Sequence, residues 1–153
     1  MERIVLSPSA IMCFLNNQIQ FKQRYIAKVY DDPSSPSMVV GSAMHKMIEQ
    51  RMKGQSFETA LEAGLQAIEN VADYEIEYGK TGSREKIIEQ YQKLSTTVIN
   101  ELPTYDNILA VEDKIECNLS VMNKKIPMKG YIDIVLDLGD SLEVIDWKSV
   151  TNY

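Results

Sequence analysis

The stretch MKGYIDIVLDLGDSLEVIDWKS, residues 128–149, decides the fold of this chain because it holds two short alternating runs joined by a turn. Residues 131–136 and 142–148 are rich in β-branched and aromatic side chains, which favour strands. Between them, Leu138-Gly139-Asp140-Ser141 has the composition of a turn. The stretch therefore predicts an antiparallel hairpin.

The predicted hairpin carries two aspartates and a lysine that can lie close together. Side chains two residues apart on a strand share a face, so Asp146 and Lys148 are predicted to point the same way. Asp133 on the partner strand can lie near Asp146 if the register allows it. Two carboxylates and an ammonium group would then share one patch.

The composition is that of an ordinary soluble globular protein: 153 residues with 44% hydrophobic and 25% charged residues. No apolar run is long enough to span a membrane, and the N-terminus shows no secretory signal. Cys13 and Cys117 lack metal-ligand spacing, so we expect reduced, buried thiols in a cytoplasmic protein. A net charge of −6 argues against a nonspecific nucleic-acid coat but allows an enzyme whose metal ions meet phosphate.

Helical patterns precede the strands. Ser7 and Pro8 suit a helix start, Gly54 suits a C-terminal cap, and Pro103 ends a helix. We predict loops over residues 31–37 and 79–83, and helices over residues 7–25, from 39 or 41 to 53, 56–72 and 84–101.

From residue 108 onward the apolar period changes to two. We predict strands over 108–121, 126–138 and 142–149, with a turn over 122–125. Helices followed by a run of strands indicate an α+β fold in which N-terminal helices precede a three-stranded antiparallel meander. The chain stops directly after the third strand, so we expect a single domain over 1–153, truncated at its C-terminus, with a sheet completed by further residues.

Each candidate residue has an ordinary explanation when taken alone. Asp133 can be a solvent-facing strand residue, and Asp146 with Lys148 can be a surface ion pair. His45, the single histidine, shares a helix face with Glu49 and can be structural. The joint pattern is more informative: a Gly-x-x-x-His helix, then Gly-x-x-Asp on a strand, then Asp-x-Lys on the next strand.

Metal-assisted phosphodiester hydrolysis is the chemistry that uses such a set. Carboxylates are hard oxygen ligands that suit Mg²⁺ or Mn²⁺, and a histidine shifts the preference toward Mn²⁺. The metal polarises the phosphoryl group and activates water, while a lysine orients that water and stabilises developing charge. A glycosidase also uses paired carboxylates, but it leaves His45 and Lys148 without a role.

At these residues the chain resembles the PD-(D/E)XK nuclease superfamily, specifically its RecB-like exonuclease branch. The resemblance rests on three motifs: Gly41-Ser42-Ala43-Met44-His45, Gly130-Tyr131-Ile132-Asp133 and Val144-Ile145-Asp146-Trp147-Lys148. The opening Leu6-Ser7-Pro8-Ser9, with Phe21 and Tyr25, is similar to that branch's N-terminal helix. It implies a restriction-endonuclease-like core.

The resemblance also implies residue roles. His45, Asp133 and Asp146 would be metal ligands, Trp147 would offer its backbone carbonyl to the metal, and Lys148 would be the catalytic lysine. Glu112 matches a strand position where relatives often carry an acid, with a surface residue as the alternative.

Two departures from the branch shape the expected function. The chain has Asn17-Gln18 where many relatives have Cys-Pro, and it lacks their C-terminal cysteines, so we expect no iron–sulfur cluster. It also stops before a Gln-x-x-x-Tyr helix. The resemblance implies a Mg²⁺- or Mn²⁺-dependent deoxyribonuclease that acts on DNA as an exonuclease. It also implies a role in bacterial, phage or CRISPR-type DNA processing, together with other recombination or DNA-processing proteins. The alternative is an inactive nuclease-like module that binds DNA or protein, and a fragment with an exposed apolar face would self-associate.

Overall fold

The computed structural model describes residues 5–29, 32–80, 82–121 and 124–148, with the side chains of 120, 121 and 124 excepted. Helices come first and a three-stranded antiparallel sheet follows, which confirms the predicted α+β class. The chain divides into two compact units: unit 1 comprises Met1–Asp31 and Glu112–Ile132, and unit 2 comprises Asp32–Val111 and Asp133–Tyr153. Whether they make a single domain stays a prediction.

The N-terminal helices of unit 1 are interrupted, which corrects the continuous helix predicted over 7–25. Helix α1 spans Pro8–Asn16 and α2 spans Gln18–Phe21, followed by a π-helical turn over Lys22–Ile26. The Ser7 hydroxyl accepts a hydrogen bond from the backbone N–H of Ala10, as predicted. The break lies at Asn17, where extended backbone lets the side-chain oxygen accept hydrogen bonds from two N–H groups of α2.

The cysteines of unit 1 depart from the expectation of buried thiols. Cys13 on α1 is half-buried, with its Sγ 3.9 Å from the side-chain oxygen of Gln20. Cys117 lies on a strand with its side chain exposed. Both are free, but Cys117 is not buried, so that part of the prediction was wrong.

Helix α3 spans Pro36–Met52 and begins earlier than predicted. Ser35 caps it through a hydrogen bond from Met38, and Pro36 takes the first helical position, where its missing N–H costs nothing. The predicted loop over 31–37 therefore ends at Ser35, and residue 31 lies outside the described residues. Gly54 has φ of +80°, which confirms it as the residue that terminates this helix.

Two more helices complete unit 2. Helix α4 spans Phe57–Glu69, capped by Ser56, and stops three residues short of the predicted end; a 3₁₀ turn over Asp73–Glu75 follows. Helix α5 spans Arg84–Glu101, capped by Ser83, which confirms its predicted bounds. Residue 81, in the predicted break over 79–83, lies outside the described residues. No helix of the described ranges is both long and apolar enough to cross a membrane.

The core of unit 2 forms where α3, α4 and α5 pack together. Tyr91 on α5 is fully buried, and its hydroxyl donates a hydrogen bond to the backbone carbonyl of Leu61, 2.9 Å away. Burial, with a contribution from the charge of Glu62, raises the pKa of Tyr91 to about 12. Gly64 on α4 gives the ring its space, because a Cβ there would lie 2.0 Å from the Tyr91 hydroxyl oxygen.

The strands occur in the order β1-β2-β3: Ile108–Val121, Lys124–Asp137 and Leu142–Ile145. The first matches its prediction. The second begins two residues early, so the predicted turn over 122–125 is wrong for 124 and 125, while 122 and 123 lie outside the described residues. The third ends at Ile145 rather than at 149, and residue 149 lies outside the described residues.

A tight turn separates β2 from β3. The N–H of Leu138 bonds to the carbonyl of Ser141, and Gly139 adopts φ of +89°, as a tight turn requires. In unit 1, Leu6 covers an edge of β2 by exchanging two backbone hydrogen bonds with Pro127 and Lys129.

Candidate metal centre

Asp133 occupies the end of the β2–β3 ladder. The antiparallel register pairs Ile134 with Ile145, so Asp133 and Asp146 are each one residue beyond the last pair. The register thus allows the proximity expected from the sequence. Because β3 ends at Ile145, however, Asp146, Trp147 and Lys148 follow the strand instead of continuing it, which corrects the strand assigned to them.

A hydrogen bond ties the Asp133 carboxylate to this segment. The backbone N–H of Trp147 donates to Oδ2 of Asp133 at 2.5 Å. The side chain of Asp133 is only 13% exposed. Such a bond orients a carboxylate in the way that outer hydrogen bonds orient metal ligands. A carboxylate oxygen has two lone pairs, so Oδ2 can accept a bond from a second partner.

His45 brings an imidazole to this carboxylate. It lies on α3, where Ala43, Met44 and Met47 are buried in the core and fix the helix face. The Nδ1 of His45 lies 3.7 Å from Oδ2 of Asp133, longer than a hydrogen bond. The sequence separates the two residues widely, and folding of unit 2 brings them together.

The pair has the spacing that a divalent ion requires. Two ligand atoms that each lie about 2.1 Å from one ion are at most about 4.2 Å apart. The 3.7 Å between the His45 nitrogen and the Asp133 oxygen falls inside that limit. One imidazole and one carboxylate form a ligand set suited to Mn²⁺ and to Mg²⁺, so the residues fit a metal of the expected kind.

Lys148 and Asp146 form an ion pair beside this centre. The Nζ of Lys148 lies 2.6 Å from Oδ2 of Asp146, and both side chains are largely exposed, at 72% and 55%. The hydrogen bond that Lys148 donates to Asp146 raises the pKa of Lys148, and the charges of Asp146 and Asp133 raise it further against an opposing effect of burial. Lys148 is therefore a cation whose charge is stabilised by both carboxylates. Exposed ion pairs are worth less than about 1 kcal/mol, so either partner can be released to a ligand.

Glu112, the strand acid, has an unusual backbone. It lies on β1 with φ of +53° and is half-buried. Positive φ is rare for a residue with a Cβ, and such outliers cluster at functional sites. This geometry is a reason, independent of the family resemblance, to keep Glu112 as a candidate ligand.

Glu49 is placed differently from the other candidates. Its Oε2 lies 2.7 Å from Nζ of Lys46, and Lys53 holds its Oε1, so both oxygens have cationic partners on α3. Burial by itself raises the pKa of Glu49, but the hydrogen bonds and charges of Lys46 and Lys53 outweigh it and lower the pKa. As a metal ligand, which remains a prediction, Glu49 would first have to leave a lysine.

Glu49→Gln should therefore lower stability in a pH-dependent manner. A carboxyl whose pKa is lowered by folding stabilises the protein above its unfolded pKa, and that contribution disappears as pH falls through the folded pKa. We expect the variant to lose about 0.5–1 kcal/mol at neutral pH and nothing near pH 3. Urea unfolding at both pH values measures this, with the exposed Glu89→Gln on α5 as the control. An equal deficit at both pH values would contradict the assignment.

An apolar pocket that sequence analysis missed opens beside His45 and Lys148. Its volume is about 280 Å³. Apolar side chains make most of its wall, with polar groups at three places; the lining residues are Met44, His45, Ile48, Val98, Glu101, Leu102, Trp147 and Lys148. The periodicity of α3 and α5 marks the apolar members only as core residues, so no sequence signal distinguishes a pocket wall from a packed interior.

Trp147 carries one unusual polar group. Its ring packs against the core of unit 2, and its indole Nε1 is buried with no hydrogen-bond acceptor among the described residues. A buried donor without a partner costs about 1–3 kcal/mol, so this packing of the indole is costly to the fold.

Comparison with known proteins identifies one family. A family model described as the PD-(D/E)XK nuclease superfamily matches residues 5–153, nearly the whole chain. No curated protein and no solved structure is significantly similar to this chain.

Proposed function

Because the chain belongs to the PD-(D/E)XK nuclease superfamily, we propose that it is a Mg²⁺- or Mn²⁺-dependent deoxyribonuclease that hydrolyses phosphodiester bonds. The observation that carries the proposal is the pairing of His45 with Asp133 at 3.7 Å, a spacing that suits two ligands of one ion. Lys148, which senses the charge of the same acid, supplies the cation that phosphodiester chemistry needs.

We assign the ligand set as follows. His45 and Asp133 would bind the ion, and Glu112 stays a candidate ligand because the family resemblance and its positive φ both single it out. Asp146 would join the set on release of Lys148, and Trp147 would offer its backbone carbonyl. Trp147 already holds Asp133 through its N–H, so one residue would orient a ligand and act as one.

The mechanism divides the work between these groups. A bound divalent ion supplies Lewis-acid polarisation of the phosphoryl oxygen and lowers the pKa of a water molecule. His45 and Asp133 would hold the ion, and the hydrogen bond from the Trp147 N–H keeps the Asp133 carboxylate oriented. Lys148 donates hydrogen bonds to the attacking water or to the phosphate oxygens, where negative charge accumulates in the transition state.

The finer features of the function are also proposals. We assign the chain to the RecB-like branch, as an exonuclease in bacterial, phage or CRISPR-type DNA processing, on its three motifs in their order. A cytoplasmic location and association with recombination proteins follow from that assignment. Self-association is proposed because α1 and α2 of unit 1 expose Met12, Leu15 and Ile19.

Lys148→Ala separates a nuclease from an inactive binding module. We expect single-turnover cleavage of single- or double-stranded DNA to fall about 10²–10³-fold, because one preorganised donor is lost from the transition state. Metal affinity should persist or rise, since a positive charge near the ions is removed. Cleavage assays beside calorimetric Mn²⁺ titration measure both effects.

Two further variants define the outcome. Lys93→Ala removes an exposed lysine from α5 and should leave cleavage unchanged. Lys148→Arg should restore little, because a planar guanidinium does not place a donor where the ammonium was. A parent protein that binds DNA and Mn²⁺ but shows no metal-dependent cleavage would establish the binding module instead.

A further inference from the structure

The pocket beside the metal centre, lined by both apolar and polar residues of unit 2, has no role in the function described so far. Two of its lining residues, His45 and Lys148, belong to that centre. Whatever enters the pocket is therefore adjacent to the place where a phosphate would react. The question is which part of a DNA substrate has the matching size and chemistry.

The size of the pocket selects a small occupant. Its volume of about 280 Å³ lies at the lower limit for small-molecule sites, which run from about 300 to 1,000 Å³. Such a space accommodates one planar nucleobase but not a base pair. A base that enters it must be unpaired.

The wall chemistry selects a nucleobase over an aliphatic group. Trp147 offers an indole, the kind of ring on which unpaired bases stack, and Val98 and Leu102 add apolar surface to the lining. Lys148 at 72% exposure is a cation available to the attached phosphate. Glu101 can accept a hydrogen bond from the exocyclic amino group of a base.

We propose that this pocket is a subsite for one unpaired nucleobase adjacent to the scissile phosphate, with Trp147 as its stacking wall. The proposal rests on the nuclease function proposed above and deepens it by naming the substrate form: a single-stranded end or a frayed terminal nucleotide. The pocket places the base, and the centre at His45 and Asp133 receives the phosphate.

Trp147 gives a readout that does not depend on cleavage, because it is the single tryptophan of the chain. Titration of the 153-residue protein with dAMP or dTMP in EDTA should quench its fluorescence saturably, as stacking on the indole requires. Deoxyribose 5-phosphate, which carries the phosphate without the base, should bind at least about tenfold more weakly, since base–aromatic stacking contributes a factor of about ten or more.

A matched pair of variants locates the binding. Val98→Phe fills the pocket from α5 and should reduce dAMP affinity at least about tenfold. Thr97→Phe adds the same ring at the neighbouring exposed position and should leave affinity unchanged. Circular dichroism and thermal melting show whether each variant is folded, and the comparison of dAMP with the sugar phosphate on the parent protein needs no variant.

The outcomes distinguish this proposal from the nuclease function. Base-dependent quenching that Val98→Phe abolishes supports the subsite even if the protein cuts no DNA. Metal-dependent cleavage in which a terminal abasic residue is processed as fast as a normal nucleotide overturns the subsite and leaves the nuclease intact. Equal quenching by dAMP and by deoxyribose 5-phosphate also overturns it.

Discussion

Asp133→Asn should abolish metal binding and DNA cleavage together. The substitution removes the negative charge from a candidate ligand whose side chain is only 13% exposed while keeping its shape, so the N–H of Trp147 still has an oxygen to bond. Of the two paired residues, only His45 would then remain a strong metal ligand. We expect cleavage to fall by at least about 10³-fold, the upper range for loss of one electrostatic group from an active site.

The measurement is calorimetric titration with Mn²⁺ beside single-turnover cleavage. Asp137→Asn is the matched control because it makes the same change on the same strand, at an exposed side chain whose oxygen accepts a bond from Gly139. An amide oxygen also accepts that bond, and Asp137 lies outside the proposed site, so activity should be unchanged. His45→Ala should fall between the two, with weaker metal affinity and a greater loss in Mn²⁺ than in Mg²⁺. Asp133→Asn that binds Mn²⁺ as tightly as the parent would show that the ion lies elsewhere.

Gly64→Ala should strongly destabilise unit 2. The new Cβ would meet the hydroxyl oxygen of Tyr91 at 2.0 Å and its ring carbons at 2.4 and 2.8 Å. The ring is fully buried and hydrogen-bonded to Leu61, so it has no free space into which to move. We expect a loss of about 3 kcal/mol or more in the free energy of unfolding, at or above the usual cost of overpacking.

Chemical denaturation measures this loss. The slope of the unfolding free energy against denaturant concentration should equal that of the parent, so that a lower midpoint reports lower stability. Gly130→Ala is the control, because a Cβ at that strand position would meet nothing within 4 Å. Tyr91→Phe in the Gly64→Ala background should recover part of the loss, since it removes the nearest atom and keeps the ring. If Gly64→Ala unfolds at the denaturant concentration of the parent, α4 and α5 do not pack as described.

Local signals in the sequence were sufficient for the fold class and for several elements. Helix α5 follows from its apolar period between a capping serine, Ser83, and the terminating Pro103. Strand β1 follows from the change of period to two. The early start of α3 was also local, in Ser35 and Pro36, but a run of serines and prolines indicated a loop more strongly. These features depend on neighbours within one turn or one strand, which is why a sequence reveals them.

The sequence by itself determined which residue types are present for the candidate metal centre. Only the tertiary structure decided how they are arranged. The sequence motifs identify the candidate residues His45, Asp133, Asp146 and Lys148. The number of residues between them does not indicate how far apart they lie in space. The 3.7 Å between His45 and Asp133, the bond from Trp147 and the end of β3 at Ile145 arise when the helices of unit 2 pack and the hairpin closes. The pocket has the same origin, because its volume is what α3, α5 and the segment after β3 leave unfilled. Packing depends on the shapes of whole faces that are distant in sequence, and no short pattern encodes the space between them.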